Sequence, residues 1–110
     1  MEYLFDSNGH HIANLVDDQL HAPTGENIGH YMENHDIFID MTGNYLGEIV
    51  HHNRLMHKRS SPHQQTNYGS CGDYGDVGNY GDPGNSGSIG SIEGYEDIDA
   101  PWLQHSSKIP

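Results

Sequence analysis

Ten histidines in 110 residues are the chain's most chemically suggestive feature. His10 with His11, His30 with His35, and His51 and His52 with His57 have the residue type that holds zinc, copper or nickel. Spacing argues against most of these sets. Neighbours on a strand point to opposite faces, so His10 and His11, or His51 and His52, do not readily share an ion. The segment His51, His52, His57 is the best candidate ligand set, completed across a symmetry axis if at all. Turn and surface positions account for the other histidines. The acids suggest no better chemistry. Asp17-Asp18 falls where a turn favours aspartate for backbone reasons, and Asp73, Asp76 and Asp82 do not match a calcium loop. Cys71 lacks the surroundings of a known cysteine nucleophile. The residues therefore point to no catalytic activity and no cofactor, with histidine-mediated transition-metal binding as the alternative function.

The elements that would position these groups come from an internal repeat. Gly9-His-His-Ile-Ala-Asn-Leu-Val, Gly25-Glu-Asn-Ile-Gly-His-Tyr-Met and Gly43-Asn-Tyr-Leu-Gly-Glu-Ile-Val share one frame, starting sixteen and eighteen residues apart. Turn residues recur at Ser7-Asn8-Gly9, Asp17-Asp18, Pro23-Thr24-Gly25, Asn34-His35, Thr42-Gly43-Asn44 and His52-Asn53. This rhythm predicts an all-β antiparallel meander of short hairpins, with strands near 2–6, 10–16, 19–22, 27–33, 36–41, 45–50 and 54–58. In the glycine-led strands both faces carry apolar residues, so both need covering, by another subunit or by the tail. Ala13, Gly29 and Gly47 are small at one repeat position. That fits either close approach of another backbone or a bulge. The aligned row Asn14, His30, Glu48 is polar: a hydrogen-bonded layer at a subunit boundary, or a solvated stripe. If His30 is buried beside Glu48, its protonation would tune assembly.

Three regions follow: a repeated β-hairpin domain over 1–60, a glycine-triplet segment over 61–94, and an acidic and apolar tail over 95–110. Glycine falls at every third position from 69 to 90. Three residues per turn is the period of a polyproline-II-like helix, while a single proline, Pro83, is too few for a collagen helix. The segment is either a flexible spacer or a polyglycine-II-like rod packed against copies of itself or along the β core. Tyr95, Ile98, Trp102 and Leu103 are expected to dock.

Composition limits partners. The formal net charge of −12 repels phosphate backbones, so nucleic acid is an unsuitable partner. No run of 18 apolar residues could span a membrane as a helix. A single cysteine and no signal-like N-terminus point to the cytoplasm. About 60 residues of core bury too little surface for comfort, which predicts a homo-oligomer whose surface meets a protein partner of unknown identity.

The hairpin repeats, followed by Gly-Asn-Tyr-Gly-Asp-Pro-Gly-Asn-Ser-Gly (78–87) and Gly-Tyr-Glu-Asp (94–97), resemble the four-fold beta flower proteins. These are small bacterial proteins whose β repeats assemble around a four-fold axis. The resemblance implies a β fold and a homotetramer, and it transfers no catalytic residue to any position.

Overall fold

The computed structural model describes residues 1–70 and 72–98; the expectations for Cys71, Trp102 and Leu103 lie outside them. Seven strands form an antiparallel meander: β1 Glu2–Phe5, β2 His11–Val16, β3 Gln19–His21, β4 Asn27–Met32, β5 Ile37–Asp40, β6 Tyr45–Val50 and β7 Arg54–Lys58. Every sequence-predicted strand is present, with ends within a residue or so. The meander closes on itself, because Phe5 pairs in parallel with Arg54 and its N–H donates to Asn53 O at 2.9 Å. This contact joins the first and last strands of the meander and shortens the edges that would present unpaired backbone to other chains. An eighth strand, β8 (Tyr95–Asp97), pairs with β7 at Met56–Lys58, beyond the short stretch that β1 reaches.

Three bulges explain the two-faced apolar pattern. Pairing slips opposite Ile12-Ala13, Ile28-Gly29 and Leu46-Gly47, the same place in each repeat. Each slip sets two residues against one and sharpens the bend needed to close a small barrel. Ile12, Ile28 and Leu46 consequently pack with the interior cluster of Leu4, Ala13, Leu20, Phe38 and Leu55. The glycines of these bulges also meet backbone. A Cβ on Gly47 would lie 2.6 Å from Met56 O, and one on Gly29 would strike Ile39 O. The two readings of the small-residue position are thus both true, and the approaching backbone is the next strand of the same chain.

One end of the barrel carries three equivalent turns. Gly9, Gly25 and Gly43 donate back to Asp6, Ala22 and Asp40, whose own N–H groups bond His10, Glu26 and Asn44. The Asp6 carboxylate further accepts from the N–H groups of Asn8 and His10 at 3.0 and 2.9 Å, and Asp40 does the same for Thr42 and Asn44. At the other end the turns use residues that tolerate positive φ: Asp17, Asp18, Asp36, His51 and His52.

After a short 3-10 helix, Pro62–Gln65, the glycine-triplet segment returns around the barrel as a strap. Tyr68, Val77 and Ser86 donate their N–H groups to the carbonyls of Gly43, Gly25 and Gly9 at 2.9, 2.8 and 3.0 Å. The docking residues are nine apart (68, 77, 86), one repeat turn for every three triplets, met in reverse order. The strap packs along the β core, as one reading of the triplets had it, but its backbone is not a polyglycine-II rod. Its local form is a string of Asx turns, in which Asn67, Asp73, Asn79, Asp82 and Asn85 each accept from the glycine N–H two residues on at 2.7–2.8 Å. Those glycines adopt φ of +82° to +91°, which a polyproline-II helix never uses. Arg54, only 6% exposed, clamps the far end by donating to Asp6 O, Ser86 O and Gly87 O. Beyond it, Asp97 accepts from Ser7 N–H and Oγ at 2.8 and 2.7 Å, and Ile98 packs against the core.

Candidate functional site

The β6–β7 hairpin does not assemble its three histidines. His51 and His52 form an exposed turn at φ +47° and +72°. His57 lies within β7, half-buried, with Nδ1 at 3.1 Å from Leu46 O and its ring 4.9 Å from that of Tyr45. A tight turn carries its residues past the end of the sheet, away from a side chain inside the strand. Among the described residues no three His, Cys, Asp or Glu side chains are grouped to hold a metal ion.

Most of the remaining described histidines contact the strap or the turns, while His11 bonds Ala13 O and Asn14 Oδ1 within β2. His10 Nδ1 sits 3.3 Å from the Asp6 carboxylate that organises its turn. His63 Nδ1 lies 2.6 Å from Tyr68 Oη, and the His35 ring stacks obliquely on both, 5.1 and 5.2 Å away. This ring group covers Ile37, Ile39 and Tyr45, the second apolar cluster, where the strap begins. Burial raises the Tyr45 phenol pKa, and its Oη accepts the Lys58 N–H at 3.0 Å. At the free end Tyr31 Oη donates to Asp36 at 2.7 Å, which pushes the phenol up to about 12.

The polar row resolves differently from either expectation. Asn14, His21 and His30 are buried on the outer face of the barrel, under the strap of their own chain. Tyr74 N–H donates to Asn27 Oδ1 at 3.1 Å, the Tyr74 ring meets His30 edge-on at 5.4 Å, and His21 Nε2 faces Gly75 O at 3.3 Å. His30 Nδ1 bonds Gln19 Oε1, not Glu48. Desolvation holds its pKa below the ordinary value, partly opposed by Asp73. Glu48 instead faces Tyr45, and it adds to the burial that raises the pKa of Tyr95. Asn14 Nδ2, His21 Nδ1 and His30 Nε2 are buried without a hydrogen-bond partner.

Where the strap spans the β1–β2 and β3–β4 turns, a cleft of about 530 Å³ opens. Its polar lining comes from His10, His11, Thr24, Asn79, Asp82 and Asn85. No Lys or Arg lines it. Elsewhere Arg54 is consumed by the strap, and the exposed Arg59 pairs with Glu96 at 3.2 Å. Sequence reasoning missed this cleft. The signal for it is a nine-residue period superimposed on the triplets, visible when Gly69–Gly78 is set over Gly78–Gly87.

No family model, curated protein or solved structure matches the chain. No helix among the described residues is long and apolar enough to cross a membrane.

Proposed function

We propose that the chain is a non-catalytic structural or protein-interaction module that works as a homo-oligomer in the cytoplasm, a tetramer if the resemblance to the four-fold beta flower proteins holds. The observation that carries this reading is a pair of tyrosines on the strap. Tyr74 is 69% exposed and Tyr80 42% exposed, and among the described residues only Met1 is a comparably exposed large apolar side chain. Both stand on a backbone fixed by hydrogen bonds to the barrel, with half-buried Val77 between them. Rigid tyrosines offer large contact area at low entropic cost, which suits an interface between proteins. The acidic surface opposes association of like copies, so added salt strengthens it by screening.

Light scattering on the eluting protein, at low and high salt, tests the proposal. The expected mass is a multiple of 12.3 kDa that grows more stable with salt. Tyr74→Ser combined with Tyr80→Ser should shift it towards the single chain while leaving the melting temperature of the barrel nearly unchanged. A 12.3 kDa species at every concentration and salt sinks the reading.

A further inference from the structure

The two spans of the strap are nine-residue equivalents, yet they cover the barrel differently. In the first span, between Tyr68 and Val77, the Tyr74 N–H bonds Asn27 and one edge of its largely exposed ring meets His30, beside a pocket of about 240 Å³. Nine residues on, the same place holds Pro83, which has neither an N–H nor an aromatic ring. Aligning the β repeats on Gly9 and Gly25 makes His11 the counterpart of Asn27, and Asn14 the counterpart of His30. Here His11 is met by the rings of Tyr3 and Phe5 at 5.2 and 5.9 Å, and Tyr3 Oη donates to Tyr80 O of the strap at 2.8 Å. His11 Nε2 lies 2.6 Å from Asn14 Oδ1 and 3.1 Å from Ala13 O, and Asn14 Nδ2 is buried without a partner. Between this span and the β1–β2 and β3–β4 turns lies the cleft of about 530 Å³, within the ~300–1,000 Å³ range of small-molecule sites.

We infer that this cleft is a binding site for a neutral polyhydroxylated ligand, a saccharide unit. Its free groups are mixed donors and acceptors, held by backbone turns. Asn79 and Asp82 each commit Oδ1 to a glycine N–H, which fixes the side chain and leaves Asn79 Nδ2 as a donor and Asp82 Oδ2 as an acceptor. Thr24 adds a hydroxyl from the facing turn. Hydroxyl groups both donate and accept, so a sugar satisfies all three. Around Gly81 and Gly84 the space where a side chain would stand is open, so a ligand can come close to the strap backbone. Pro23 and the His11 ring supply apolar surface for a sugar's C–H face. An anion is disfavoured by the Asp82 carboxylate, the absence of Lys or Arg in the lining and the net charge of −12. A cation would want acceptors alone.

The test is an amide NMR titration of the full chain with glucose, galactose and maltose, and separately with putrescine and inorganic phosphate. Saturable shifts confined to Thr24, Asn79, Gly81, Asp82 and Gly84 are expected with at least one saccharide. Asp82→Asn keeps the turn acceptor and should weaken binding about tenfold by losing the charged acceptor. Thr24→Val, which removes only the hydroxyl of the facing turn, should weaken binding as well while leaving the strap in place. Absence of saturable shifts with every saccharide up to about 50 mM overturns the inference, as does tighter binding of putrescine or phosphate than of any sugar.

Discussion

Removing the Arg54 guanidinium should undo the strap. This side chain donates from Nη1 to Gly87 O at 2.6 Å and Asp6 O at 3.2 Å, from Nη2 to Ser86 O at 3.0 Å, and from Nε to Asn53 Oδ1 at 3.1 Å. Its Cζ also lies 6.0 Å from the centre of the Phe5 ring. A hydrogen bond from a charged donor contributes about 1.5–3 kcal/mol. The contributions do not add, because the acceptors share one cation and those of the exposed strap residues 86 and 87 regain water when it leaves. About 3 kcal/mol is therefore the expected loss for Arg54→Ala, a large part of the ~5–15 kcal/mol that holds a domain of this size. At ~4–8 °C per kcal/mol the melting temperature should fall by about 12–24 °C. Arg54→Lys keeps the charge but not the planar fork that reaches several carbonyls at once, and should recover less than half. Hydrogen exchange localises the effect: the Ser86 and Ile89 amides, bonded to Gly9 O and Ser7 O, should lose protection before the β5–β6 amides do. An Arg54→Ala chain that melts within about 2 °C of the parent, with Ser86 still protected, would refute the clamp.

Two further predictions follow from the same geometry. Gly47→Val forces a side chain against Met56 O, and Ile98 Cδ1 at 2.8 Å, so it should destabilise the single barrel by about 2–4 kcal/mol in urea unfolding; Gly72→Ala, with open space around it and no positive φ, is the control expected within about 0.5 kcal/mol. His30 is a base whose pKa is lowered on folding, so the unfolded chain binds more protons as pH falls through about 6.5. Its contribution is present above that pH and is lost below it. The urea midpoint should therefore decline between about pH 7.5 and 5.5, and less steeply in His30→Gln; profiles of identical slope would remove His30 from the account.

The strands were legible because turn chemistry and alternation are local. Asp17-Asp18, Thr42-Gly43-Asn44 and their counterparts set the hairpins without reference to anything distant, and the strand ends agree to a residue or so. Closure was not legible. It depends on a stagger that brings Phe5 beside Arg54, residues 49 positions apart, and on three bulges whose sequence mark is a small residue after an aliphatic one. Ala13, Gly29 and Gly47 raised that possibility without deciding it. The triplet period was visible, but it fits a flexible spacer and a polyglycine-II-like rod equally well. The deciding detail is the Asn or Asp two residues before a glycine, because that side chain stabilises a turn with the glycine at positive φ and thereby excludes the extended helix. The candidate cleft needed both facts at once, since it lies between two turns of the closed barrel and the strap that crosses them.

The strap also changes what drives any association of copies. A sheet apolar on both faces calls for a second covering, and an oligomer was the natural source while the tail's path was unknown. Here the covering is internal: Phe5, Ile37, Ile39, Tyr45 and Met56 are each 8% exposed or less within one chain. Self-association, where it occurs, must then come from surface the strap itself presents, chiefly Tyr74 and Tyr80. The match of nine strap residues to one β repeat makes this arrangement sensitive to length. Asn67 Nδ2 reaches Thr42 O and Asn85 Nδ2 reaches Asn8 O, the residues just before Gly43 and Gly9. Adding a single triplet between them would keep the glycine period yet carry Asn85 and Ser86 past their turn, so the spacing of the docking residues, more than the glycine period, ties this tail to this barrel.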